Sequence, residues 1–194
     1  TGKGNAQVLD DEGKNLILRK LAGSVEPRLK VLKGNMKRFG YISEIKSVLS
    51  EFDQYDIGPE ELERVMERAG ENSYLYYKLS DMKVIYEEFR EYLKDRYITK
   101  EEILDVLCRI APESALLKRS VVVLDGFTGF TPVQNRLLAQ LMNLCIDVVV
   151  TVTVDGKEDP YSYGGPCEMF GMSKHTVSSL TRLARECRVE QKAP

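Results

Sequence analysis

Residues Ser120 to Gln134 read SVVVLDGFTGFTPVQ, and this stretch decides the fold. Val121 to Leu124 is an unbroken apolar run that stops at Asp125 and Gly126, the pattern of a strand buried on both faces. Thr131 and Pro132 then open a periodic apolar segment. Threonine is a favoured helix N-cap and proline fits the first helical turn. Leu137, Leu138, Leu141 and Leu144 face the core of that predicted helix. Ile146 to Val154, IDVVVTVTV, is a second, β-branched strand. Strand, loop, helix and strand in this order predict a βαβ unit with parallel neighbours. Ligands meet such sheets at the carboxyl ends of the strands. Asp125 is therefore the first candidate functional residue, and Asp155, which closes the second strand with Gly156, lies on the same edge.

Upstream the periodicity changes to that of helices. Asp10 or Asp11 caps a first one, with Leu16, Ile17 and Leu21 as its stripe and Gly23 and Ser24 as its stop. Tyr41, Ile42, Ile45, Val48, Leu49, Phe52 and Tyr55 mark a second, ending before Gly58 and Pro59. Glu60 to Ala69 is a short acidic helix. A long one runs from about Tyr74 to Lys94, with Leu75, Leu79, Met82, Tyr86, Phe89 and Leu93 as a heptad-like seam. This region is rich in tyrosine. A platform for stacking bases is conceivable, but seam positions favour core and helix–helix packing. Thr99 and Glu102 form a capping box for a further helix, whose inner face is Ile103, Val106, Leu107 and Ile110. Ser173 caps a last helix with Val177, Leu180, Ala184 and Cys187 along one side.

The predicted fold is α/β and helix-dominated: a small parallel βαβ piece, similar to that of P-loop nucleotide hydrolases, plus an inserted helical bundle. Its expected parts are an amino-terminal helical segment (1–39), the bundle (40–117), the βαβ piece (118–190) and a disordered tail (191–194). Two parallel strands need neighbours and cover, so the chain is expected to be a piece of a longer polypeptide.

Composition narrows the function classes. With 43% hydrophobic and 30% charged residues, the chain is ordinary for a globular protein. A net charge of −2 gives no global positive field for nucleic acid. Cys108, Cys145, Cys167 and Cys187 are scattered without CxxC spacing, and His175 is the single histidine. A four-ligand zinc site would need nearly all five to converge, so no metal site is expected and the thiols read as reduced, as in a cytoplasmic protein. No apolar run is long enough for a membrane span.

An apolar strand ending in Asp is also the magnesium-binding element of nucleotide hydrolases, where the carboxylate holds the metal that bridges the terminal phosphates. A glutamate that orients the attacking water follows it in working helicases. Here Gly126 follows, and glycine accepts no proton. On motif strength alone a plain loop-capping role for Asp125, helped by Gly126, is favoured, because an apolar run ending in Asp-Gly is common. Gly2 and Lys3 suggest the end of a phosphate-binding loop, but Gly4 stands where serine or threonine is needed. No GxSxG elbow and no complete catalytic set are present.

VLDDEGKNLILRKL, GYISEIKSVLSEFDQY, KLSDMKVIYEEFREYL and VVVLDGFTGFTPVQNRLLAQLM together resemble the AddB/RexB family, the amino-terminal helicase-like region of the B subunit of AddAB-type helicase–nucleases. The resemblance runs from about Leu9 to Glu186. Its most specific part, Asp125 to Gln134, is similar to the DEFQD-TP-Q element of UvrD-like superfamily-one helicases, with Gly126 in place of the glutamate. The resemblance implies a bacterial subunit that pairs with an AddA-type helicase–nuclease and processes double-strand DNA ends for recombinational repair. It implies ATP, magnesium and an iron–sulfur cluster for the parent complex and none for this chain. It also implies that Asp125 and Gly126 are a nucleotide and metal remnant, so the chain alone is expected to be inactive. Phe127, Thr128 and Phe130 are candidate DNA contacts, as is the basic stretch Lys30–Arg38. Two alternatives stay open: a free-standing helical interaction module unrelated to DNA, and a metal-dependent hydrolase using Asp125 with Asp155.

Overall fold

The computed structural model describes residues 7–192. Gly2, Lys3 and Gly4 lie outside them. The chain divides into two compact units, Thr1–Ile103 and Leu104–Pro194. The described residues are helix-dominated, with two small parallel sheets among them.

The first unit opens with β1 (Gln7–Leu9) and α1 (Asp11–Val25). Asp10 is the cap: its carboxylate accepts from the Gly13 N–H at 2.7 Å. The stripe of α1 is Ile17, Leu18, Ala22 and Val25; the predicted Leu16 is 65% exposed. Gly23 and Ser24 do not stop the helix. It runs to Val25, and Pro27 then tightens the chain into a short 3-10 turn, Glu26–Arg28. A glycine only weakens a helix, whereas proline removes a donor and breaks it.

The segment from Leu29 to Arg38 buries Leu29, Leu32 and Met36. Gly34 has φ +83°, a left-handed position where glycine carries no Cβ penalty, and its N–H donates to Glu26. Next come α2 (Phe39–Gln54), α3 (Pro59–Ala69) and α4 (Tyr74–Leu93). Their apolar spacing turns Ile42, Ile45, Leu49, Leu62, Met82, Ile85, Phe89 and Leu93 into one shared core with α1. Burying a side chain of this size is worth about 1.5–3 kcal/mol, so this core dominates the unit. At its edge Tyr86 donates to Asp53 at 2.7 Å and meets Phe52 edge-on. Burial, and then the adjacent Asp53 carboxylate, push the Tyr86 phenol far up.

Two strands are absent from the sequence reading, β1 and its partner. β2 (Tyr97–Thr99) pairs in parallel with β1, Gln7 opposite Tyr97 and Leu9 opposite Thr99. Three-residue strands so far apart in sequence leave no periodic signal. Thr99 closes β2 and also caps α5 (Lys100–Ile110) through the expected box with Glu102. The inner face expected for α5 is not deeply buried: Leu107 is 39% and Ile110 44% exposed.

The second unit holds the predicted strand–loop–helix–strand. β3 (Val121–Leu124) pairs in parallel with β4 (Asp147–Val150), Val121 opposite Asp147 and Leu124 opposite Val150. Between them lies α6 (Pro132–Leu144), which buries Val133, Leu138 and Leu141. Two expectations about the strands fail here. β3 is not buried on both faces: Val121 is 54% and Val123 62% exposed, because a sheet of two strands has no layer over that side. β4 ends at Val150, since β3 offers no backbone partner beyond the Leu124 carbonyl, which accepts from Thr151. The last helix, α7 (Gly171–Cys187), starts after Phe170, so Ser173 lies inside it and caps nothing. Its Lys174 is gripped by Glu158 at 2.7 Å and Glu168 at 3.2 Å. The described end of the chain is tied to β4 by Lys192, 2.6 Å from Asp147.

Candidate functional site

The loop from Asp125 to Thr131 joins β3 to α6 and is held at three points. At its start the Thr151 hydroxyl, just past β4, donates to the Asp125 carboxylate. The parallel register makes this possible, because Leu124 and Val150 are opposite each other and the next residues on both strands meet. In its middle the Thr128 carbonyl accepts from the Thr176 hydroxyl of α7 at 2.7 Å. Thr176 is only 2% exposed. At its end Thr131 and Gln134 form a reciprocal capping box, the Thr131 N–H donating to the Gln134 side chain at 2.8 Å and the Gln134 N–H to the Thr131 hydroxyl at 3.4 Å.

Gly126 has φ +74°, a left-handed conformation that an L side chain rarely adopts. The sharp turn there brings Phe127 and Phe130 together: the rings stack with centroids 5.1 Å apart and planes 20° from parallel. Phe127 is 39% exposed and Thr128 is exposed. The candidate residues Asp125, Gly126, Phe127, Thr128 and Phe130 thus form one structured loop with an aromatic pair at its tip. Such a tip offers π-faces to a planar ligand.

Asp155 is engaged elsewhere. Its carboxylate accepts from the Lys157 N–H at 3.0 Å, a local turn. Among the described residues no group of three or more His, Cys, Asp or Glu side chains could hold a metal. Asp125 is a lone carboxylate whose neighbour is glycine, and the four cysteines are free and scattered over different elements. Burial pushes the Cys108 and Cys145 thiols up, away from metal-ligating thiolate. A groove of about 750 Å³ follows β4 and α7, yet none of Asp125 to Phe130 lines it. No helix of the described residues is long and apolar enough to cross a membrane.

Sequence reasoning missed Thr151 and Thr176, which bear no motif and act only once β4 and α7 are placed. It also missed two buried charges of the first unit. Lys14, 2% exposed, sits on the apolar stripe of α1, three residues before Ile17; its ammonium donates to Glu101 at 2.6 Å and Ser50 at 2.9 Å. A lysine on an apolar face is a readable signal, but its partner is not. Asp81, 1% exposed, interrupts the buried face of α4.

Fold and loop together define a helix-dominated α/β protein whose candidate site is the turn closing a parallel strand pair. The family model described as ADDB, N-terminal, matches residues 1–194. The chain is 37% identical, over its whole length, to the ATP-dependent helicase/deoxyribonuclease B subunit of Lachnoclostridium phytofermentans, and covers 17% of that protein. Proteins of the same name from Clostridioides difficile and Bacillus pumilus are 32% and 30% identical over 92% and 96% of the chain, which covers 15% and 16% of them. The chain spans about a sixth of the length of these relatives. It belongs to the AddB amino-terminal family.

Proposed function

We propose that this chain is the amino-terminal part of the B subunit of a bacterial ATP-dependent helicase–deoxyribonuclease that processes double-strand DNA ends for recombinational repair. Within it the chain acts as scaffold for an AddA-type subunit and as a guide for DNA, and its motor element is degenerate. The observation that carries this reading is the Asp125–Gly126 turn. The carboxylate is engaged by the Thr151 hydroxyl, and the next position is a left-handed glycine with no side chain to activate water. Nucleotide hydrolysis needs a metal held opposite a positioned water, and this turn supplies neither the second acid nor the base. ATP, magnesium and any iron–sulfur cluster belong, in this reading, to other parts of the assembly.

The exposed face of β3 supports a further layer packed over it in the parent subunit, since parallel strands are normally covered on both sides. The P-loop-like character of the strand–loop–helix–strand piece and the grouping of the central helices as an inserted bundle belong to the same reading. The stacked Phe127 and Phe130 at the loop tip are the DNA-guiding element of the second unit.

Two measurements test it. The chain with ATP and magnesium should show no turnover, and it should retain an AddA-type subunit in a pull-down. Turnover abolished by Asp125→Ala would overturn the degenerate-motor part; failure to retain the partner would overturn the scaffold part.

A further inference from the structure

Seam spacing assigns the tyrosines of α4 to packing, but the structure divides them. Tyr86 is 2% exposed and belongs to the core, whereas Tyr74 is 70% exposed. Tyr74, Tyr77 and Asp81 share one face of α4, at steps of three and four. The Asp81 carboxylate accepts four hydrogen bonds of 2.7 to 3.0 Å from the backbone N–H groups of Lys30, Val31 and Leu32. This moors the segment after α1 to the middle of α4. Leu32 and Met36 of that segment point into the core, at 3% and 1% exposure. Lys33, Lys37 and Arg38 are all exposed, and none has a carboxylate partner among the described residues. Lys30 lies with its ammonium 4.8 Å from the centroid of the Tyr77 ring. Phe39, next to Arg38, is 64% exposed.

Cations left without partners attract phosphate, and open aromatic faces attract bases. A single strand supplies both groups together. A duplex hides its base faces, and an acidic peptide has no use for the rings. We propose that the basic segment Lys30–Arg38, together with Phe39, Tyr74 and Tyr77, is a contact surface for single-stranded nucleic acid. It lies wholly within the first unit. The inference rests on the DNA-guiding reading and names a second place, besides the Phe127–Phe130 loop, where the strand touches this chain.

The test is fluorescence anisotropy of the whole chain with a labelled oligothymidine about 16 nucleotides long, over a salt series. Three neutralised phosphates predict a slope of log K against log salt of about −2. The triple variant Lys33→Ala/Lys37→Ala/Arg38→Ala should weaken binding at least ~10-fold at low salt and flatten the slope. Tyr74→Ala should weaken it by about tenfold with the slope kept. All four side chains are exposed, and circular dichroism checks the fold of each variant. A bromouracil oligonucleotide should cross-link within 30–39 or 74–77. No binding at low salt, equal binding by the triple variant, tighter binding of duplex, or equal competition by polyglutamate overturns the inference. If binding is lost only with Phe127→Ala/Phe130→Ala, this surface is refuted while the proposed function stands.

Discussion

The Thr176 hydroxyl donates to the Thr128 carbonyl across 2.7 Å, joining α7 to the tip of the β3–α6 loop over 48 positions of sequence. The Met172 carbonyl of its own helix lies 2.9 Å from the same hydroxyl and shares its single proton. The loop conformation is thus set from outside itself. Thr176→Val keeps the shape and removes the bond. The expected loss of stability is about 1 kcal/mol, with faster amide hydrogen exchange confined to Phe127–Gly129. Exchange that stays as slow as in the parent would show the loop to be self-supporting.

Gly126→Glu tests the proposed degenerate-motor reading, since it places an acid directly after Asp125 without restoring the rest of the chemistry. At φ +74° any Cβ is strained, even though the space around it is open. The substitution should cost about 1 kcal/mol or more in urea unfolding and give no ATP turnover. A gain of magnesium-dependent turnover would mean that a single residue separates this turn from a working motor.

Lys14 and Glu101 form a nearly buried ion pair 2.6 Å apart, at 2% and 10% exposure. Breaking such a pair from one side strands a charge, so Lys14→Ala should destabilise by ~3 kcal/mol, while Lys14→Met/Glu101→Leu recovers most of the loss. The pair also fixes a pH response. Burial is the largest single effect and works to raise the Glu101 carboxyl, but the Lys14 hydrogen bond and charge, a backbone hydrogen bond and the Ser50 hydroxyl together outweigh it, and the group titrates below its ordinary 4.5. A depressed carboxylate stabilises the fold above that value and loses its contribution as pH falls through the lowered one. The parent should therefore lose more stability than the Met/Leu double variant between about pH 5 and pH 3, read by thermal melts across that range.

Asp81 is buried, and among the described residues it forms no ion pair; its hydrogen bonds there come from backbone N–H groups. Asp81→Ala leaves three donors without a partner, each worth roughly 1 kcal/mol or more. The expected cost is about 3 kcal/mol, read by urea denaturation. Asp81→Asn, which keeps one acceptor oxygen, should cost clearly less. Equal costs would mean that packing, not acceptance, is what Asp81 supplies.

The residues of Ser120–Gln134 were sufficient to place β3, the Thr131 cap and α6, because apolar runs, caps and first-turn prolines act over a few neighbours. The long helices were legible for the same reason, as was the capping box of Thr99 and Glu102. Asp125 and Gly126 were legible as a turn, and the absence of an acid after Asp125 was plain from the chain alone. Apart from β3 with β4, which the βαβ order implies, pairing across long sequence distances was not. β1 against β2, Thr151 on Asp125, Thr176 on Thr128, Glu101 on Lys14 and Asp81 under Lys30–Leu32 all join segments whose local patterns carry no record of each other. Exposure was equally out of reach. Valine at 121 and 123 reads as buried in any sequence, and only the lack of a layer packed over that sheet face leaves it at the surface. Local propensity is written in neighbouring residues, whereas a buried charge or a bare sheet face is settled by what the completed fold places beside it.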